Sequence, residues 1–112
     1  MACRTFAAGA VDVPLAPLPA EKAVAGAPRA GVVQVPEAVG LGVGVWEHSA
    51  GTSTDVEVDE VFVVLRGRAT IEVEGGPTLQ VGPGDLCVLE AGARTRWTVH
   101  EALRKVFVCP AG

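Results

Sequence analysis

The stretch TDVEVDEVFVVLRG, Thr54 to Gly67, packs four acids into six positions, Asp55 to Glu60, and then turns almost wholly apolar. Side chains two apart on a strand share a face. Asp55, Glu57 and Asp59 therefore fall together, opposite Thr54, Val56 and Val58, and Glu60 breaks the rhythm by landing on the valine side. Read as one unbroken strand, the segment turns three carboxylates to water and aims Glu60 at the apolar interior. Val61 to Leu65 is apolar in both phases, as in a strand covered on each side by another sheet or a subunit. An acid in such a place must be paired, hydrogen-bonded or protonated. Glu60 is thus a candidate proton-transfer group, with Lys105 of the run LRKVFVC, Leu103 to Cys109, as its candidate partner. A structural Glu-Lys pair fits the same two residues.

The same phase test sorts the neighbouring runs. In LGVGVWEH, Leu41, Val43, Val45 and Glu47 share a face, which makes Glu47 a second carboxylate in apolar phase and leaves Trp46 and His48 opposite. In ARTRWTVH, Thr95, Trp97 and Val99 lie opposite Arg94, Arg96, Thr98 and His100, so His100 is expected in solvent. ATIEVEGGPTLQV alternates, turns at Gly75-Gly76-Pro77 and returns through Leu79 and Val81, which predicts a hairpin.

At 112 residues the chain has room for one domain. Its 14 glycines, 8 prolines and abundant valine favour short strands and tight turns over long helices. Five of the prolines fall within residues 1–36, which reads as an extended N-terminal arm lying over the surface or partly loose, ahead of a β-domain at 37–112. A net charge of −4 without a basic cluster speaks against nucleic acid and anionic membranes as partners. Cys3, Cys87 and Cys109 form an odd set with no CxxC pair, and Asp12 and Pro14 interrupt the apolar N-terminus. These features predict a soluble cytoplasmic protein with reduced thiols, Cys87 and Cys109 being small buried fillers.

Glu60 followed after six residues by Gly67, then Gly84-Asp85 and Ala91-Gly92, resembles the two-motif signature of the cupin superfamily. Its first motif runs G-x5-H-x-H-x3,4-E-x6-G and its second G-x5-P-x-G-x2-H-x3-N. Glu60 and Gly67 match the first, and Gly84 and Gly92 match the second. The first motif's histidine positions hold Thr54 and Val56, or Ser53 and Asp55 with the longer spacing; the second's holds Thr95, with Glu90 for its proline and Val99 for its asparagine. Trp46, Gly51, Asp59-Glu60, Val64-Leu65, Trp97 and Arg104-Lys105 add a resemblance to small single-domain cupins related to (S)-ureidoglycine aminohydrolase and to ethanolamine-utilisation cupins, spanning about residues 40 to 108.

That resemblance implies an all-β fold, a double-stranded β-helix or jelly-roll barrel with a cavity at its mouth, commonly dimeric. Glu60 and Lys105 are the candidate catalytic pair, and Thr54, Val56, Thr95, Trp97, Glu47 and Trp46 are candidate ligand contacts. Trp97 is a plausible stacking surface or ordinary core. With histidine only at His48 and His100, neither expected to face inward, no transition metal and no cofactor is expected. An oxygen-ligand cation site built from Glu47, Glu57, Asp59 and Glu60 is the alternative, and phase opposes it. Three function classes follow: a metal-free binder of a small polar metabolite with or without proton-transfer or hydrolytic activity, a manganese-dependent enzyme resembling ureidoglycine aminohydrolase, and a noncatalytic sensor or dimerisation module.

Overall fold

The computed structural model describes residues 3–36 and 39–111, and among them every regular element is a strand. No helix there is long and apolar enough to cross a membrane. The strands are β1 (Ala16–Pro17), β2 (Ala23–Ala25), β3 (Arg29–Gln34), β4 (Leu41–His48), β5 (Gly51–Val56), β6 (Glu60–Val73), β7 (Thr78–Val81), β8 (Leu86–Leu89) and β9 (Arg94–Pro110).

The 17-residue β9 is the spine. Its first half pairs with β5, from Val56 opposite Arg94 to Gly51 opposite Val99. Its second half pairs with β4, from His48 opposite Leu103 to Leu41 opposite Pro110. Along its other edge runs β6, antiparallel from Val61 opposite Val108 to Val73 opposite Thr95. Strands this long cannot stay flat, because each carries a right-handed twist. The β6–β9 register slips between Val64 and Ala69, an irregularity of the kind that bends a strand and adds local twist. Gly67 makes the slip: its φ is +90°, and a Cβ there would lie 2.1 Å from the Ala102 carbonyl oxygen. The slip also switches the inward phase of β6, from even positions (Phe62, Val64) to odd ones (Ala69, Ile71).

The curled sheet encloses a core of Phe62, Val64, Ile71, Leu89, Val99, Leu103 and neighbours, with Ile71 and Leu103 wholly buried. Full burial of each such side chain contributes roughly 1.5–3 kcal/mol. The predicted hairpin is β6–β7, with Ala69 opposite Val81 and Ile71 opposite Leu79. Cys87 is buried in this core, and Cys109 packs partly buried against it.

Two phase expectations are corrected. The acidic stretch is not one strand: β5 ends at Val56, and residues 57–59 hydrogen-bond instead to the turn after β8. Glu57 N–H donates to Ala93 O, Gly92 N–H donates to Glu57 O, and Ala91 N–H donates to Asp59 Oδ1. The break turns Val56 and Val58 outward, 54% and 58% exposed, and turns Glu57 inward. Glu60, at the start of β6, keeps the inward phase of Phe62 and Val64.

Residues 16–34 supply β1, β2 and β3: β3 pairs with β4, and β2 pairs with β5. The chain before them is held by Arg104, whose Nη1 donates to the carbonyls of Ala8 (3.0 Å) and Val11 (2.7 Å). Arg66 Nη1 adds a bond to Gly9 O at 3.0 Å.

Candidate functional site

The concave face of the curled sheet surrounds a cavity of about 240 Å³. β4 supplies Trp46 and His48, β5 supplies Ser53 and Thr54, and β9 supplies Trp97 and Lys105. Glu57 and Glu60 enter from the β5–β6 junction, and Leu18 and Lys22 of the N-terminal segment edge the opening. Lys22 Nζ lies 3.1 Å from Asp55 Oδ1 at this rim, both groups about half exposed.

Lys105 points inward because it faces Trp46 across the β4–β9 ladder. Its ammonium lies 2.6 Å from Glu60 Oε2, with the two side chains 6% and 13% exposed. Three aromatic rings enclose the same ammonium, with centroids at 4.3 Å (Phe62), 4.6 Å (Trp46) and 5.0 Å (Trp97). The desolvation cost of such a pair is large, and the ring faces and the short contact offset it. The structure thus brings together the two residues singled out as a candidate proton-transfer pair.

Glu57 is the carboxylate that strand phase misplaced. Its Oε2 accepts from Thr95 Oγ1 at 2.6 Å and from Trp97 Nε1 at 3.0 Å. Both donors converge on one oxygen, so Oε1 has no hydrogen-bond donor among the described residues. Thr95, at a motif histidine position, is buried behind Glu57 and braces it without lining the cavity. Trp97 stacks obliquely on Trp46 and Phe62, at centroid distances of 5.5 and 5.7 Å.

His48, expected to face outward, is 1% exposed and lines the cavity. Its Nδ1 lies 2.6 Å from Ser49 O, and because a carbonyl can only accept, Nδ1 carries the proton of the neutral ring. Nε2, 2.9 Å from Ser53 Oγ, is then the acceptor of the serine hydroxyl. Burial holds the imidazole pKa below its ordinary value; the Ser49 carbonyl opposes that shift and the Lys105 charge adds to it. The clue was present in the sequence, since His48 shares its phase with Trp46. His100 is exposed and hydrogen-bonds to Thr70 Oγ1 at 2.8 Å.

Glu47 does not belong to the cavity. It lies on the other face of β4, where its Oε1 accepts from Arg104 Nε at 2.8 Å and from Arg66 Nη2 at 3.3 Å. Its apolar phase is real, but that face is the one covered by the N-terminal segment. Val56 likewise lies outside, beside a shallow cleft that also reaches Thr54 and Thr95.

Among the described residues no group of three or more His, Cys, Asp or Glu side chains is arranged to hold a metal ion. The single imidazole at the cavity has both nitrogens engaged, and Glu60 is committed to Lys105. The motif histidine positions hold Thr54, Val56 and Thr95, so this donor set lacks the imidazole ligands that the cupin motifs would place there.

Residues 40–107 match the family model of the EutQ-like cupin domain. The chain belongs to that family. Solved structures agree on the cupin fold. The Clostridium difficile EutQ protein superimposes with a TM-score of 0.65 at 22% identity, over 75% of this chain and 64% of that one, so this chain spans slightly less than two thirds of it. A protein of unknown function from Rhizobium leguminosarum bv. viciae 3841 matches over the full length of both chains, with a TM-score of 0.71 at 19% identity. Ectoine synthase from P. lautus gives 0.64 at 20% identity, over 86% of this chain and 70% of that one. At these identities the likeness shows the cupin fold, an all-β jelly roll, and nothing of substrate. No curated protein matches the chain in sequence.

Proposed function

We propose that this EutQ-like cupin domain binds a small polar metabolite in its cavity without a metal ion, using Glu60 and Lys105 as the charged pair that meets the ligand. The observation that carries the reading is the convergence of the Lys105–Glu60 pair and the half-satisfied Glu57 carboxylate on one small cavity walled by Trp46 and Trp97. Small-molecule sites are built this way, with apolar walls and a few placed polar groups. Melting curves across a panel of small polar metabolites test it. At a concentration about 100-fold above its Kd, a true ligand stabilises the fold by about 2.7 kcal/mol. Glu60→Gln keeps an acceptor for Lys105 but leaves its charge unbalanced, so it should melt lower without ligand and lose the ligand-dependent stabilisation measured against that lower baseline. A panel that leaves the melting temperature unmoved, or a shift that Glu60→Gln leaves intact, overturns the reading.

A separate observation favours a homodimer. The outer face of β8 and its neighbours is apolar and exposed: Val88 (62%) and Leu86 (63%) lie across from Val61 and Val63, and Val61 faces Val108. We take this valine-rich sheet face as an association surface that a second copy of the chain would cover. Sedimentation should give a dimer that Val88→Glu dissociates; a monomeric parent protein at working concentration excludes it.

A further inference from the structure

We propose that Ser53 and His48 form a nucleophile and base pair in the cavity, competent for acyl transfer from a compact carboxylic ester or lactone. The inference rests on the reading of the cavity as a small-molecule site, and it adds a chemistry that the Lys105–Glu60 pair does not supply.

The geometry has three linked parts. Ser53 Oγ lies 2.9 Å from His48 Nε2, within the range required of a nucleophile and its base. His48 Nδ1 donates at 2.6 Å to the Ser49 carbonyl, which fixes both the ring plane and the tautomer. The main-chain oxygen thus orients the imidazole as a third carboxylate residue does in other hydrolases. Because Nδ1 is committed to the backbone and the Nε2 lone pair is aimed at Ser53, any base action by His48 passes through the Ser53 hydroxyl. Both side chains are among those lining the cavity. The Trp46 ring packs against the imidazole, tilted by 42° with centroids 5.3 Å apart. Ser53 is held in the middle of three strands, opposite Trp97 of β9 and Ala23 of β2, so its backbone is fixed.

The reaction balances without an added oxidant or cofactor. Ser53 Oγ adds to the ester carbonyl carbon as its proton passes to His48 Nε2, and the carbonyl electron pair moves onto oxygen. Of the two lysines that line the cavity, Lys22 sits at the rim beside Asp55, and the Lys105 ammonium, which gives one of its three N–H groups to Glu60, is the one assigned to that oxyanion. Collapse re-forms the carbonyl and expels the alkoxide, which takes the proton from Nε2 and leaves as the alcohol. Water then repeats the sequence: its proton goes to Nε2, hydroxide adds to the acyl carbon, and Ser53 departs with the proton restored, releasing the acid. A cavity of about 240 Å³ limits the substrate to a small molecule.

Buried neutral His48 remains a base at a pH where free histidine is protonated. The charged groups lining the same cavity are Lys105 of β9, Glu60 of β6, Glu57 of the linker, Asp55 of β5 and Lys22 at the rim. Of these, Lys105 adds to the lowering.

The test is covalent labelling by diisopropyl fluorophosphate, in which Ser53 Oγ displaces fluoride from phosphorus and the hydroxyl proton leaves through His48. Mass spectrometry should place one adduct on Ser53. Its formation rate should reach a plateau at a pH below the ordinary histidine value of about 6.5. His48→Gln should slow it roughly 100-fold. No adduct on Ser53 of the unsubstituted protein overturns the pair, as does a rate unchanged in His48→Gln or rising only above that pH. The unsubstituted protein alone can refute the proposal, whatever the folding of the variant. Metabolite stabilisation without Ser53 labelling removes the acyl-transfer chemistry and leaves the binding site standing. Labelling without metabolite stabilisation does the reverse.

Discussion

The indole N–H of Trp97 donates to Glu57 Oε2 at 3.0 Å, which fastens the linker between β5 and β6 to β9 near its N-terminal end. One side chain therefore has two separable duties, a ring packed against Trp46 and Phe62 and a donor that orients a cavity carboxylate. Trp97→Phe keeps most of the ring and removes the donor. It should cost about 1–3 kcal/mol in urea unfolding, the range for leaving a buried polar group short of a partner. Trp97→Ala should cost about 3–5 kcal/mol. Equal losses in the two variants would mean that the ring packing contributes nothing beyond the hydrogen bond, and no loss in Trp97→Phe would mean that the hydrogen bond contributes nothing.

The Lys105–Glu60 pair predicts strong non-additivity. Removing one member, as in Lys105→Met, leaves a buried charge unpaired and should cost about 3–5 kcal/mol, whereas Lys105→Met combined with Glu60→Leu should recover most of that. Denaturant melts of the two single variants and the double variant measure the coupling directly. Additive single losses would place the pair in solvent-like surroundings.

His48 sets the acid limb of stability. Burial lowers its pKa in the folded chain, so between the unfolded value, about 6.5, and the lower folded value the unfolded chain binds more protons. Stability therefore rises with pH through that window. His48 contributes no penalty above it, and its share of stability is lost as pH falls through the folded value. Chemical denaturation at stepped pH should show this slope, and His48→Gln should flatten it. A slope unchanged in that variant would assign the effect to other groups.

Gly67→Ala tests the origin of the curl. The backbone conformation alone costs a non-glycine residue about 1–3 kcal/mol, and the new methyl would also meet the Ala102 carbonyl. The variant should melt lower than Gly75→Ala, where φ is also positive (+71°) but nothing lies within 4 Å of the added carbon. Equal melting temperatures would remove the steric part of the argument.

Much of the fold was legible because strands with regular alternation report their own faces. The β6–β7 hairpin, the inward Glu60 and the shared face of Thr95 and Trp97 all follow from period two. Glu57 was not legible, since the break after Val56 is decided by hydrogen bonds to Glu57 and Asp59 from residues 91–93, more than thirty positions away. Glu47 failed for a different reason. Its phase with Val45 was read correctly, but β4 has two covered faces, and only the docking of Arg104 and the segment around Ala8 and Val11 decides which one adjoins the cavity. His48 was lost to the same ambiguity, as the residue on the opposite phase.

The chain has two tryptophans and no tyrosine, and both indoles stand at the cavity wall, 5.5 Å apart. Its intrinsic ultraviolet emission therefore originates almost entirely where a ligand would lodge. Quenching or a spectral shift on titration would report occupancy with no extrinsic dye, and collisional quenchers would gauge how readily solvent reaches the interior.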